Sequence, residues 1–413
     1  MLSKIDKIKV DDIDQLLFTK HTKGSSRLLI YFSSADAKNI QGVSKFSPYD
    51  TDILFVRDPR RGWYNLPIDG LSSDADELHD QLERRIGNYP RGSITTSGSS
   101  MGGYAALLFG IKLGVGRIVS VGPQIVLHPE IPHSPKIPVK YNDLSKLIET
   151  KTEKTQIDIW YGAESGLDLY NILRVRNTGS VRLHAVPGAM HNILSTFKRR
   201  GQMESFFEHT ATGSNFSVPE QTVRNADIIV EAAHKFFREK NYQDTIDTLL
   251  PVADDICLSA VYFLIGNSHF RMAQYKKARV FFERAATVST KNYDAHYYLG
   301  LALVKLGKDV AAERSFARGL ETYPSPNGVR LAKLASAQYR IGSFEDAINN
   351  HLKVVELDSR QTKSHFELGV MFMKLGRDQE AMMHFSHHHK SQPDFLPTIR
   401  KLTQLRKKIA SDA

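Results

Sequence analysis

Cysteine is almost absent from this chain of 413 residues. Cys257 stands alone, which rules out an intrachain disulfide and leaves a Cys-based zinc cluster to several chains. That agrees with a reducing compartment, and a cytoplasmic protein is expected. Long hydrophobic runs are missing too: nothing approaches the roughly 18 consecutive apolar residues of a membrane span. The opening MLSKIDKIKVDDIDQLLF has no unbroken apolar region of the kind a secretory signal needs. Glycine (27) and proline (16) are too few for a collagen-like or low-complexity chain. With 41% hydrophobic and 24% charged residues, the composition is that of an ordinary globular protein of two or three folded units. Charge is biased, with Lys+Arg 55 against Asp+Glu 45 and a net of +10. An excess of this sign suits anionic partners, yet no nucleic-acid recognition motif accompanies it. Its densest patch, Arg400, Lys401, Arg406, Lys407 and Lys408, reads as a solvated helix face.

Two patterns divide the chain near residue 215. Before it, β-branched and aromatic runs alternate with helical stretches: Arg27 to Ser33, Asp52 to Val56, Ser93 to Ser97, Arg117 to Val121, Gln156 to Tyr161 and Val181 to Val186. Helices are expected at Asp74 to Ile86 and Gly103 to Lys112, from apolar residues at three- and four-residue spacing. Alternation of this kind predicts an α/β domain over 1–212 with a mostly parallel sheet. The polar stretch Thr210 to Thr222 breaks the pattern, and a linker is expected over 213–222.

Beyond it only helical periodicity remains, and it repeats. Ala278, Ala312, Ala347 and Ala381 are separated by 34, 35 and 34 residues. Twelve positions before each stands a small residue, Gly266, Gly300, Ala335 and Gly369. Gly307, Gly342 and Gly376 occupy the turn between the paired helices, Phe282, Phe316 and Phe385 follow the alanines, and Pro324 and Pro393 are placed to end second helices. This order of small residue, alanine, phenylalanine and proline resembles the tetratricopeptide repeat. A degenerate unit with Ala233 and Thr245 precedes the four, giving about five units over 223–393. A capping helix is expected over 394–413, with Leu396, Ile399 and Leu402 turned inward. The resemblance implies an all-α solenoid that binds a protein or peptide, self-association included.

The segment RGSITTSGSSMGGYAALLFG carries the strongest chemical signal. Gly98, Ser99, Ser100, Met101 and Gly102 form G-x-S-x-G between an expected strand and an expected helix, the setting of a nucleophile elbow. Ser97 and Ser99 lack glycines at both second-neighbour positions. A serine hydroxyl needs a base to take its proton and a third group to orient that base. His191 in VPGAMHNIL follows the last expected strand, and Asp168 in WYGAESGLDLYN follows the one before, with Glu164 as the substitute acid. His184 falls inside a strand, His128 and His133 come early, and Asp158 on an alternating strand reads as structural. The order Ser100, Asp168, His191 over residues 25 to 205 resembles the α/β-hydrolase superfamily.

That resemblance implies a serine hydrolase with an oxyanion hole from the Met101 N–H and, in the absence of an HGGG-type motif, from the segment IYFSSADA, which offers Ser33, Ser34 and Ala35, with Ser34 chosen. In FVRDPRRGWYN, Arg60, Arg61, Trp63 and Tyr64 follow a strand and are candidates to hold the substrate, since guanidinium pairs with anions and rings stack on sugars. A loop salt bridge, with Asp58 as the available acid, and a packed tryptophan are the structural alternative. The short interval from Val121 to Gln156 leaves little room for a lid, so a polar ester, carbohydrate included, is expected as substrate. An acyltransferase using the same acyl-enzyme and an inactive repeat scaffold are the alternatives. His384 and His388 share one helical face, but with no nearby acidic or thiol ligand no metal is expected there, nor any cofactor elsewhere.

Overall fold

The computed structural model describes residues 5–8, 16–21, 25–35, 43–87, 89–150, 154–219, 223–323, 327–358 and 361–411. Pro324 and linker residues 220–222 lie outside these. The chain divides into two compact units, Met1–Ser268 and His269–Ala413.

The first unit is built on an eight-stranded sheet: β1 (Ile5–Ile8), β2 (Leu16–His21), β3 (Leu28–Phe32), β4 (Asp52–Val56), β5 (Ile94–Ser99), β6 (Arg117–Val121), β7 (Gln156–Gly162) and β8 (Val181–Val186), in the order β1-β2-β4-β3-β5-β6-β7-β8. From β4 to β8 every pairing is parallel, and β2 alone runs against both its neighbours. The six strands expected from the sequence are β3 to β8. The edge pair was not legible: charged and polar residues interrupt IDKI and LLFTKH, as suits strands near a sheet edge. Ten helices accompany the sheet in chain order among the described residues: α1 (Val43–Phe46), α2 (Ala75–Arg85), α3 (Met101–Leu113), α4 (Ser145–Thr150), α5 (Gly166–Ile172), α6 (Ile193–Arg199), α7 (Met203–Thr212), α8 (Ala226–His234), α9 (Tyr242–Leu249) and α10 (Ala253–Ile256).

Alternation along β3 shows why both faces are covered. Leu29 and Tyr31 point one way, onto Phe46 of α1 and Phe207 of α7; Phe32 points the other way and stacks on Phe109 of α3 at 5.4 Å. Burial on both faces makes α3 apolar all round, with only Lys112 half-exposed. Residues expected as linker begin at Gly213, in the left-handed conformation that closes α7. Phe216 and Val218 then pack against a core of Trp160, Phe197 and Phe206, so this stretch is anchored. The Tyr170 ring of α5 meets that of Phe237, beyond α8, at 5.7 Å, which ties the first helical pair to the sheet within one unit. The change of sequence pattern and the division into compact units therefore fall at different places.

Next come α11 (Ser259–Arg271) and, in the second unit, α12 (Tyr275–Val288), α13 (Tyr293–Lys305), α14 (Asp309–Thr322), α15 (Gly328–Ile341), α16 (Phe344–Leu357), α17 (Thr362–Lys374), α18 (Asp378–Ser391) and α19 (Leu396–Ser411). The periodic alanines sit on the second helices and are fully buried. Beneath Phe316 and Phe385 lies the small residue of the first helix: a methyl at Gly300 would come within 2.6 Å of the Phe316 ring, and one at Gly369 within 2.8 Å of Phe385. In the third pair the ring site is His351, 2% exposed, and the small site is Ala335. A smaller ring leaves room for the methyl. The capping face of α19 differs from expectation by one turn: Leu402 and Leu405 enter the core, while Leu396 stays 60% exposed.

Candidate active site

The turn from β5 to α3 leaves one residue, Ser100, between strand and helix, at φ 56° and ψ −117°. A left-handed φ on a residue other than glycine costs of order 1–3 kcal/mol. Its N–H donates to the Val121 carbonyl at 2.8 Å, and its carbonyl accepts from the Tyr104 N–H at 3.0 Å, so both sides of the bend are held. The flanking glycines are sterically required. A Cβ on Gly98 would lie 2.4 Å from the Gly102 carbonyl oxygen, and one on Gly102 would lie 2.2 Å from that of Phe32. Strand β3, β5 and α3 meet backbone to backbone at this bend.

The Ser100 Oγ lies 2.9 Å from His191 Nε2, and His191 Nδ1 lies 2.7 Å from Asp168 Oδ1. These groups come from the ends of β5, β8 and β7, at one edge of the sheet. Asp168 is 1% exposed, in the first turn of α5. Its Oδ2 accepts from the Gly162 N–H at 2.9 Å and its Oδ1 also accepts from the Ser165 hydroxyl at 3.0 Å. An ionised carboxylate only accepts, so Nδ1 carries the ring proton and Nε2 turns its lone pair to the Ser100 hydroxyl. Ser97 is buried in β5, and neither it nor Ser99 is brought to an imidazole by any contact described.

Met101 opens α3, where backbone N–H groups have no partner within the helix. Ser34 is the second residue beyond β3. The preceding residue is fixed there: the Ser33 N–H donates to the Val56 carbonyl at 2.9 Å, and the Tyr64 hydroxyl reaches the Ser33 carbonyl at 2.9 Å. The loop expected to hold substrate serves this brace. Tyr64 is wholly enclosed and Trp63 is 3% exposed, its indole N–H donating to the His133 carbonyl at 3.2 Å. Neither ring is open for stacking, which corrects the expected sugar platform. Arg60 is exposed but paired with Asp69 at 2.7 Å. Arg61, Trp63 and Tyr64 all have φ of 56–57°, wrapped around the buried Asp58. Burial pushes that carboxyl up, opposed by backbone N–H groups that include those of Tyr64 and Arg60.

Glu164, the substitute acid, faces elsewhere. It is 6% exposed and accepts from the N–H groups of Ser259 and Ala260 at the start of α11; burial pushes it up to about 6. Asp158 is engaged on the sheet by Arg182 at 2.9 Å and His184 at 3.0 Å; although burial opposes it, these partners hold its carboxyl well below the usual range. His128 accepts from the Glu130 N–H at 3.2 Å, away from the relay. His384 and His388 are buried between packed helices: Nδ1 of His384 lies 2.9 Å from that of His365, and His388 meets the Thr398 hydroxyl at 2.9 Å. Among the described residues no three His, Cys, Asp or Glu side chains converge as metal ligands, and no helix is long and apolar enough to cross a membrane.

Residues 263–325 match the tetratricopeptide repeat family model. A curated relative, anaphase-promoting complex subunit 3 of Schizosaccharomyces pombe, is 24% identical over 133 residues, 32% of this chain. That stretch is only 20% of the relative's length. Among solved structures, the chain is similar to YrrB, a TPR protein with an unusual peptide-binding site (19% identity, 43% of this chain and 90% of that one, TM-score 0.40). It is also similar to MamA from Desulfovibrio magneticus RS-1 (16% identity, 42% and 99%, TM-score 0.38). The chain carries a tetratricopeptide repeat domain.

Proposed function

We propose that this repeat-bearing chain is a serine hydrolase of the α/β-hydrolase type, whose repeats bind a protein partner. The observation that carries the reading is the continuous relay from the Ser100 hydroxyl through His191 to the buried Asp168. In this mechanism His191 Nε2 takes the serine proton as Oγ attacks an ester carbonyl. Asp168 keeps the imidazole in the right tautomer and stabilises the imidazolium, which then protonates the leaving alcohol. Water, activated by the same nitrogen, releases the acid. The N–H groups of Met101 and Ser34 stabilise the oxyanion; loss of one such donor costs roughly 10²–10³-fold in rate. With Trp63 and Tyr64 enclosed, the preference for a carbohydrate ester loses its support, and the proposal extends to an ester alone. A fluorophosphonate probe should label the wild type and leave Ser100→Ala untouched. Folded wild type that neither takes the label nor turns over p-nitrophenyl esters overturns the reading.

A second reading, a scaffold with a silent sheet domain, draws on the family match, which falls on the repeats. The same labelling experiment decides it. An acyltransferase would show a product that depends on an added polyol acceptor.

A further inference from the structure

Asp168 stands on a helix too short to hold itself in place. Helix α5 has 7 residues, and isolated helices shorter than about 12–15 residues are marginal in water. What packs around it therefore sets its position. On one side the Asp168 carboxylate is bonded to the Gly162 N–H, and Asn171 Oδ1 accepts from the Val126 N–H at 2.9 Å. On the other side Tyr170 is fully buried by residues that follow the last strand. Its ring lies 5.7 Å from that of Phe237 and 6.2 Å from that of His234. The Arg174 guanidinium covers the same ring at 4.3 Å and reaches His234 Nδ1 at 3.3 Å. The helix that carries the acid is thus clamped between the sheet and the first helical pair.

The loop leading into α5 is held in the same way. A Cβ on Gly162 would lie 2.4 Å from the Met190 carbonyl oxygen, so the end of β7 meets the loop before His191 backbone to backbone. The Ala163 N–H donates to the Val186 carbonyl at 3.3 Å, and the Glu164 N–H donates to the Ala189 carbonyl, two residues before His191, at 3.0 Å. The Glu164 side chain is buried at the start of α11, where the Ser259 and Ala260 N–H groups donate to it. N–H groups in a first turn have no partner within their own helix. A methyl on Gly166 would sit 3.4 Å from Leu264 of α11, in ordinary contact. One residue, four before Asp168, therefore bonds to the His191 loop through its backbone and to α11 through its carboxyl. Helix α11 also carries Gly266, the small residue of the first matching repeat.

We infer that Glu164 is a positioning residue of the Ser100–His191–Asp168 relay, and that through it the start of the repeat array becomes part of the catalytic unit. This rests on the serine hydrolase reading. No proton passes through Glu164; it acts by placing Asp168 against His191. Released from α11, the loop would let the two drift apart, and a misplacement of about 1 Å can cost roughly 10²-fold in rate. Oε2 of Glu164 has no hydrogen-bond partner among the described residues. An unpartnered buried oxygen burdens a neutral group less than an anion. Glutamine is therefore the conservative replacement, whereas methionine fills the same space without an oxygen for the two N–H groups.

Steady-state turnover of a p-nitrophenyl ester, with kcat taken per site titrated by a fluorophosphonate, tests the proposal on the full chain. Glu164→Met should lower kcat by roughly 10- to 100-fold and change KM by less than about twofold. Glu164→Gln should recover kcat to within about threefold of wild type, because it keeps an acceptor for α11. In an Asp168→Asn background Glu164→Met should cost no more than about a further threefold, since the group it places is already lost. Ser259→Pro removes one donor at the first position of α11, where proline is tolerated, and should lower kcat about fivefold with KM unchanged. It also carries the test if circular dichroism shows that Glu164→Met does not fold. Unchanged kcat in Glu164→Met and Ser259→Pro, equal losses in Glu164→Gln and Glu164→Met, or losses that multiply in full with Asp168→Asn would each overturn the proposal and leave the hydrolase reading standing. Folded wild type that neither takes the label nor turns over the ester would remove that reading, and this proposal with it.

Discussion

The two units of this protein place their functional information at different densities. In the sheet unit it resides in a few atoms at one edge: a bend of one residue, one imidazole, one buried carboxylate, all locked by backbone contacts. Overall that unit carries no net charge. The repeat unit has no single decisive atom; its character is a shape repeated every 34 or 35 residues. A point change should therefore act sharply in the first and by increments in the second.

The largest contrast is expected at Ser100→Ala, which on the proposed function lowers ester turnover by roughly 10⁴–10⁶-fold with an unchanged melting curve. Asp168→Asn should cost about 10⁴-fold by favouring the wrong imidazole tautomer. Steady-state kinetics beside calorimetry check both. Next comes stability at the bend. Gly102→Ala puts a methyl against the Phe32 carbonyl and should cost more than about 3 kcal/mol or prevent folding, whereas Gly376→Ala, with φ 71° and open space around it, should cost about 1 kcal/mol. Similar losses in chemical denaturation would break the contrast.

Acid should separate the units further. Burial pushes His351 and His384 down to about 4, so their neutral forms favour the folded repeats. That contribution is complete above the unfolded value near 6.5 and is lost as pH falls from there toward 4, by at most about 3 kcal/mol for His351. His351→Phe paired with Ala335→Gly, which restores the ring-over-glycine packing of the other repeats, should flatten the repeat unit's melting temperature between pH 6.5 and 4. Glu164 has the opposite sign. Its raised value gives a contribution that is full below about 4.5 and lost as pH rises through about 6. Glu164→Gln should therefore stabilise the first unit above pH 6, by at most about 2 kcal/mol, and leave it unchanged in acid. A transition that moves the other way with pH would show that the carboxyl is not buried against α11.

Much of this was legible from residue order because its physics is local. Hydrophobic alternation marked β3 to β8, and the repeat period marked the paired helices, since each unit solves the same packing problem. The pair of glycines around Ser100 was readable because a tight bend allows nothing larger. Where reading failed, distant partners decided. Nothing in IDKI or LLFTKH announces an added edge pair, and FVRDPRRGWYN shows aromatic rings without showing that Ser33 and His133 enclose them. Glu164 and Asp168 stand close together after β7 with the same functional group; only the arrival of α11 beside one and of His191 beside the other assigns them different partners.

From residue order alone came the division into an alternating half and a periodic half, the identity of the bend, and the total charge. Tertiary structure decided which carboxylate meets the imidazole, which rings are withdrawn from solvent, and which helix receives the other carboxyl. Those are contacts between segments far apart in the chain, and burial and charge pairing act on whatever the fold brings together, whatever its separation in sequence.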